Sequence, residues 1–372
     1  MSKIKIKTLT SVHIGSGDTL QYGTDFVPTM IGEDYYLSVV DPRKVLSLIG
    51  EANLYQWVSS IEKMEATSNV VKRFAPNADV TDYSERLIRD WSAAQETDTL
   101  KEHIHDGFGV PYIPGSSIKG AIRTAVLSSL ANIVRNAELK VDKTRNLNGK
   151  IQIKADAKKV EAELFGDTPN EDVFRFLQVG DAYFCRDSEV AIKMFNLNER
   201  KTQSFWDTSK PQLIEAIGPE EESSFTMKLN ISGYEFARTK VKTLPDCMSS
   251  NAKLFETINC HTKKLLESEI EYWEDRETND DSGKVGTYIE KIREVLSNAE
   301  KCTTGKECVL RVGHGSGWRF ITGAWAENLD NFTSVVVPAS RPMNHKYTQF
   351  DFPKTRRVDE MCELLGFVKL SD

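Results

Sequence analysis

The sequence of 372 residues contains no run approaching the roughly 18 uninterrupted apolar residues that a membrane-spanning helix needs, so no membrane role is expected. Its opening stretch, MSKIKIKTLTSVHIGSG, lacks the apolar region of a signal peptide and alternates like a strand, which points to a cytoplasmic protein. Cysteine is sparse. The six (Cys185, Cys247, Cys260, Cys302, Cys308, Cys362) form no CxxC pair, and Cys302, Cys308 and His314 are spaced too widely for the usual structural zinc site. Free thiols and no bound metal are expected. An excess of positive charge is missing as well: the net charge of −7 argues against a protein that coats nucleic acid without specificity. Several enzyme signatures are also absent. GSSIKG is not a GxxxxGK[ST] phosphate loop, and GHGSGW misses the third glycine of a dinucleotide fingerprint with no helix pattern after it. No GxSxG elbow, no HExxH and no acidic cluster with metal-site spacing occurs in a glycine loop, so no cofactor and no catalytic residue is assigned.

What is present is the balance of a soluble globular chain, 40% hydrophobic and 28% charged, long enough for two domains. Charge is unevenly spread. Residues 135–159 carry eight bases against three acids and read either as an RNA footprint or as a solvated, partly disordered loop; residues 267–281 carry eight acids and one base and read as a solvated helix face. Lys3 to Thr10 and residues 34–40 have strand patterns, and Asp41-Pro42 opens a helix with an N-cap and a first-turn proline. Residues 51–105 show no strong strand signal and read as a helical insertion. After Pro114, the apolar residues Ile118, Ile122, Ala125, Val126, Leu130 and Val134 recur at helical spacing. Strands are expected at 173–184, 224–232, 307–323 (interrupted by a glycine loop) and in GFVKL, with helices ending at Gly166 and across 251–300. Interleaved strands and helices give an α+β class with tandem ferredoxin-like units. The expected boundary lies near 160–172, although the first strand of such a fold can pair with a late segment.

Three glycine-rich segments carry the chemistry. The first is Ser11 to Gly17, with His13, Gly15, Ser16 and Gly17; the second, Gly115-Ser116-Ser117, opens a helix that bears Lys119 and Arg123. The third, His314-Gly315-Ser316-Gly317-Trp318-Arg319, follows a strand. Glycine lets the backbone approach a phosphate, and successive N–H groups, or a helix N-terminus, favour an anion. Trp318, inside its loop, is the stacking candidate for a base, whereas Phe320 and Trp325 read as core. His13 and His314 suit ribonuclease chemistry as general base and acid, but binding roles fit better because no orienting carboxylate stands beside either in sequence.

LTSVHIGSGDTL, DPRKVLSLI, PYIPGSSIKGAIRTAVL, LFGD, FRFLQVGDA, FTMKLNI, GHGSGWRFITG and the late TRR…LGFVKL, in this order, resemble the fifth-subunit family of type III-A CRISPR (Csm) effectors, within the RAMP superfamily. The resemblance implies tandem RRM/RAMP ferredoxin-like domains: an N-terminal one at 1–168 with the insertion 51–105, and a C-terminal one at 169–372 with the helical segment 251–300. It implies a non-catalytic subunit on the 3′ portion of a single-stranded crRNA guide, beside other Csm subunits, especially the backbone RAMP subunit. A separate, trans-acting host nuclease is implied for crRNA 3′-end maturation. Arg356 and Arg357 of the late TRR join the RNA-binding set on the same ground. The alternative is an endoribonuclease of the same superfamily that processes precursor crRNA with a histidine base.

Overall fold

The computed structural model describes residues 2–131, 140–145, 149, 151–156, 158–199, 204–315, 317–320, 324–329, 331, 332, 334, 337 and 355–372, with 140–145 and 151–156 described by their backbone. The first strand, β1 (Ser2–Thr8), buries Ile4 and Ile6 and turns its lysines outward. It is followed by β2 (Gly15–Gln21), β3 (Phe26–Ile31) and β4 (Asp34–Val40). Asp41 then caps α1 (Pro42–Ile49), its carboxylate accepting from the Arg43 and Lys44 N–H groups at 2.8 and 3.4 Å. Two more helices, α2 (Leu54–Glu62) and α3 (Thr67–Phe74), close a small cluster around Val45, Trp57 and Val70.

From here the expected helical insertion stops short. Residues 84–103 form β5 (Ser84–Asp90) and β6 (Thr99–His103), and both enter the larger sheet. Their polarity hides them in the sequence. Arg86 on β5 and Glu102 on β6 are joined in an ion pair on the sheet face at 2.8 Å, so charged residues occupy positions where a strand usually shows apolar ones.

Next come β7 (Tyr112–Ile113), α4 (Gly115–Leu130), the hairpin β8 (Lys140–Arg145) and β9 (Ile151–Asp156), and α5 (Lys158–Phe165), which ends at Gly166 with φ +120. The basic stretch is therefore a hairpin in its backbone, where a loop was the expected alternative. Val134 of the expected helix pattern lies outside the described residues. The expected strand at 173–184 is shorter than anticipated: a 3-10 turn precedes β10 (Leu177–Val179) and β11 (Ala182–Tyr183). Two long strands follow, β12 (Glu189–Asn198) and β13 (Trp206–Ile217), then β14 (Glu222–Leu229) and the short α6 (Ile231–Ala237). The helical hairpin α7 (Asn251–Glu274) and α8 (Lys284–Glu300) leads to β15 (Glu307–Arg311), β16 (Thr355–Val358) and β17 (Phe367–Ser371).

A five-stranded antiparallel sheet runs β10–β14–β1–β17–β15, with α4 and α7 against it; Ile4, Ile6, Ile118, Ile122, Phe225 and Leu370 share its core. The larger sheet runs β2–β6–β13–β12–β5–β4–β3, with β16 on β12, and mixes antiparallel ladders with the parallel pairs β12/β5 and β13/β6. The class is α+β with tandem ferredoxin-like units. Both sheets take strands from either side of residue 168, because β1 pairs with β14 and β17, and β5 and β6 with β12 and β13. Sheet membership therefore does not follow the expected linear division. Among the described residues, no helix is long and apolar enough to cross a membrane.

Candidate nucleic-acid interface

The first and third glycine loops are built as one unit. The chain leaves β1, bridges Val12 to Ile217, and then bridges His13 to His314, whose N–H donates to the His13 carbonyl at 3.0 Å. Gly313 makes that approach possible. Its φ is +79, and a Cβ there would stand 2.5 Å from the His13 carbonyl oxygen. Gly315 and Gly317 also have positive φ, with Met194 Sδ 2.7 Å and the Thr355 carbonyl 3.1 Å from where a Cβ would lie. In the first loop Gly15 pairs with His103, and Ser16 Oγ donates to Glu102 Oε2 at 3.1 Å. Gly17, at φ +103, is exposed with open space around it. Ser316 and the Trp318 side chain lie outside the described residues. Phe320 and Trp325 are buried, as expected of core.

The second loop is clamped by the protein itself. Gly115 N–H donates to Asp181 Oδ1 at 2.7 Å, and a Cβ at Gly115 would lie 2.3 Å from the Val179 carbonyl. The anion expected at this helix start is thus met, at Gly115, by the chain's own carboxylate. Beyond it, Ser116 is exposed, and the face of α4 formed by Ser117, Gly120, Thr124 and Ser128 looks into a cleft. Lys119 and Arg123 lie outside that face. Arg123, expected to contact phosphate, binds Asp172 at 2.9 and 3.1 Å and Glu161 at 3.1 and 3.3 Å, with its guanidinium over the rings of Phe165 and Phe174. It ties α4 to α5 and to the segment before β10. Lys119 is half-buried, and burial pulls its pKa down against the pull of Asp172.

The three loops meet at this cleft, which has a volume of about 400 Å³. The first loop contributes Ile14 and Gly15, the second Ser117 and Gly120, and the third Gly313, His314 and Arg319. Arg311 stands beneath the third loop, donating through Nε to the Leu365 carbonyl at 3.3 Å; burial pushes its pKa down to about 9. Arg357 and Lys101 both donate to Gln212 Oε1, at 3.0 and 3.1 Å, and raise the positive potential around His314. Partial burial, then Arg357 and His13, push His314 down to about 4, so its imidazole is neutral at pH 7.

Arg319 and Arg356 do a different job from the expected one. Glu269 lies fully buried among them: Arg319 Nη1 reaches its Oε2 at 2.9 Å, and Arg356 reaches Oε1 and Oε2 at 2.5 and 2.9 Å. The Trp273 indole and the Tyr288 hydroxyl donate to the same carboxylate at 2.7 and 2.8 Å. Burial opposes the charge, but the two guanidiniums outweigh it and hold Glu269 below the ordinary carboxylate range. Arg319 also pairs with Glu327 at 3.0 Å. Arg356 is therefore removed from the solvent-facing RNA contacts, and Arg319 lines the cleft with its charge already matched. The acidic run is not simply a solvated face, since Glu269 anchors the third loop and β16 from within it. Lys101 and Arg311, by contrast, fall in no glycine-rich motif; the fold sets Arg311 in the cleft wall and brings Lys101 near enough to act on the charge of His314.

The histidines under the first loop are structural in their hydrogen bonding. His13 is buried, and its Nδ1 sits 2.6 Å from the Glu215 carbonyl, which accepts only, so the proton is on Nδ1. His103 Nδ1 accepts from Ile14 N–H at 3.2 Å while Nε2 donates to the Tyr112 carbonyl at 3.2 Å; burial holds its pKa well below the usual value. Glu102, His105 and Glu215 have ligand-type atoms within 4.8 Å of one another, yet Arg86 donates to both carboxylates at 2.8–3.1 Å and already supplies the cation there. Cys308 is buried in the core, and all six thiols are free.

Comparison with known proteins places this geometry. The chain is 24% identical over 186 residues to the CRISPR system Cms protein Csm5 of Methanocaldococcus jannaschii, which is 48% of this chain and 42% of that protein. It is 28% identical over 138 residues to the protein of the same name from Streptococcus thermophilus, 34% of this chain and 38% of that one. These matches span less than half the length of either relative. In fold it is similar to a chain of the cryo-EM Csm–crRNA–target RNA ternary complex of a type III-A CRISPR-Cas system, with a TM-score of 0.72, 21% identity and 100% of both chains covered. The crystal structure of T. onnurineus Csm5 gives a TM-score of 0.66 at 19% identity, covering 98% of this chain and 99% of that one. The family model for the RAMP superfamily matches residues 5–320. That span runs from the first strand to the third glycine loop and takes in every wall of the cleft, and by it the chain belongs to the RAMP superfamily.

Proposed function

We propose that this chain is a non-catalytic crRNA-binding subunit of a type III-A CRISPR (Csm) RNA-guided effector, and that the three-loop cleft holds the backbone of the guide's 3′ portion. The observation that carries the reading is the convergence of three glycine loops, hundreds of residues apart in sequence, on one cleft. Gly120, where a Cβ would meet nothing within 4 Å, leaves room for a phosphate to approach α4 closely. Arg311, Lys101 and Arg357 supply the local positive potential on an otherwise acidic chain. The likeness to two Csm5 proteins, and in fold to a chain of a Csm–crRNA–target RNA complex, supports the partner assignment. Beside it would stand the backbone RAMP subunit, with 3′-end maturation left to a separate nuclease. His13, buried and donating to a carbonyl, fits a packing role rather than an acid–base one.

Purified full-length chain should bind labelled single-stranded RNA with a salt slope of about 0.7 per phosphate contact and should leave precursor crRNA and target RNA intact. His314, facing the cleft, is the residue on which the endoribonuclease alternative depends. Loss of a general acid or base lowers rate by about 10²–10⁴-fold. Specific cutting by the parent chain that His314→Ala abolishes would replace this reading with the endonuclease.

A pH dependence follows from the same imidazole. In the free chain His314 takes a proton only near pH 4. A phosphate beside it favours the charged form and raises that value in the complex. The bound state then holds more protons than the free one across the window from the bound-state value down to 4. RNA affinity should therefore rise as pH falls through that window, by at most about tenfold per pH unit for one proton. In His314→Gln the part of the rise due to this group should vanish; an identical profile in the two proteins would place the RNA away from the third loop.

A further inference from the structure

The three-loop cleft does not end at Arg319. A second cavity of about 490 Å³ adjoins it and shares Ser128, His261, Leu265 and Arg319 as a common wall. Its long side is one stripe of α7. Glu256, Cys260, Lys264 and Ser268 recur every fourth residue and span about 18 Å of helix.

The lining differs in character from the first cleft. Arg319 is matched there by Glu327, and Lys264 stands opposite in charge to Glu256, so the chamber carries little net charge. What it has in number are hydroxyls: Ser128, Ser129, Thr257 and Ser268. Ser128 Oγ is buried and has no hydrogen-bond partner among the described residues. His261 stands at the junction, and burial, aided by Lys264, pushes it down to about 4, so at neutral pH it offers both a donor and an acceptor. A run of bare phosphates would gain little from such walls. A sugar with free hydroxyls would gain donors and acceptors on several sides.

Resting on the three-loop reading, we propose that the bound strand continues past His261 into this chamber, which takes a further nucleotide and reads its ribose 2′-hydroxyl. The chamber would thereby distinguish RNA from DNA at one position of the guide. Ser128 and His261 at the junction, with Glu256 along the wall, are the acceptors and donors in reach of a sugar hydroxyl, while Lys264 meets the adjoining phosphate.

Cys260 gives a direct readout, since it is exposed within this chamber, and the exposed Cys185 lines neither cavity. The experiment measures alkylation of the two thiols in the full chain, by peptide mass spectrometry, with RNA and DNA oligonucleotides of about 4–16 nucleotides. At RNA about ten times its dissociation constant, Cys260 should react about tenfold more slowly once the oligonucleotide is long enough, with Cys185 unchanged. A single 2′-deoxy substitution at the nucleotide in the chamber should weaken binding about fivefold, the size of one hydrogen bond. Glu256→Ala, which lines the chamber and not the three-loop cleft, should reduce that discrimination and leave short oligonucleotides bound as before. RNA that binds at every length while Cys260 reacts at its free rate would overturn the chamber and leave the three-loop reading standing. Equal binding of the deoxy-substituted strand with Cys260 protected would overturn the ribose reading. No RNA binding at any length would overturn both.

Discussion

A Gly120→Glu variant is expected to fold as the parent does and to lose about a hundredfold in affinity for single-stranded RNA. Gly120 sits within α4, is exposed, and lines the cleft shared by the three loops. A Cβ there meets nothing within 4 Å, and its backbone is ordinary helix, so the fold has room for a side chain. Removing a mid-helix glycine even favours the helix, by up to about 1 kcal/mol. The new carboxylate, however, projects into the space assigned to a phosphate backbone. A like charge at such a position costs several kcal/mol, and about 2.7 kcal/mol is a hundredfold. Gly120→Ala is the control: it should melt at the same temperature or higher and keep most of its affinity. Equal RNA binding by the parent and Gly120→Glu, measured by fluorescence anisotropy, would remove α4 from the RNA path.

The largest effect on stability is expected from Glu269→Ala. The carboxylate is fully buried and holds Arg319 and Arg356, and it also accepts from Trp273 and Tyr288. Taking it away leaves Arg356 beside the rings of Tyr272 and Trp273 without this carboxylate, and Arg319 with Glu327 as its remaining ion pair. Breaking a buried pair in this way costs about 3–5 kcal/mol. Chemical denaturation should show that loss, and RNA affinity should fall with it because Arg319 stands in the third loop. Glu269→Gln keeps the volume and some of the hydrogen bonds, so it should lie between parent and alanine variant. Unchanged stability in Glu269→Ala would mean that the two arginines find solvent or other partners at little cost.

These two sites differ in how far the sequence announces them. Gly120 lies in a helix whose start and apolar spacing are local signals, and the structure keeps Ile118, Ile122, Ala125 and Val126 on the buried side. Asp41 and Pro42 are legible for the same reason, since a cap and its first turn involve neighbours. Glu269 is not legible. It sits in a run of acids, and its two arginine partners lie 50 and 87 positions away. Arg86 on β5 is similar: it reaches Glu215 across 129 positions, and the strand it occupies looks too polar to be one. Arginine beside glycine in a loop suggests a phosphate contact for Arg319, but which guanidiniums are already matched depends on carboxylates brought up by other elements. For that reason the residues raising the potential at the cleft, Arg311 and Lys101, do not stand out in the sequence, although each stands on a strand adjoining a glycine loop.

The central claim is that one RNA strand touches all three glycine loops at once. Photocrosslinking of the full-length chain to a single-stranded RNA carrying a photoreactive uridine analogue, mapped by peptide mass spectrometry, tests it most directly. Crosslinked peptides are expected from 13–17, 115–124 and 311–320, all reduced together in Gly120→Glu. Crosslinks confined to other surfaces, such as the stacked Tyr112 and Tyr183 rings, with none in the three loops, would contradict it.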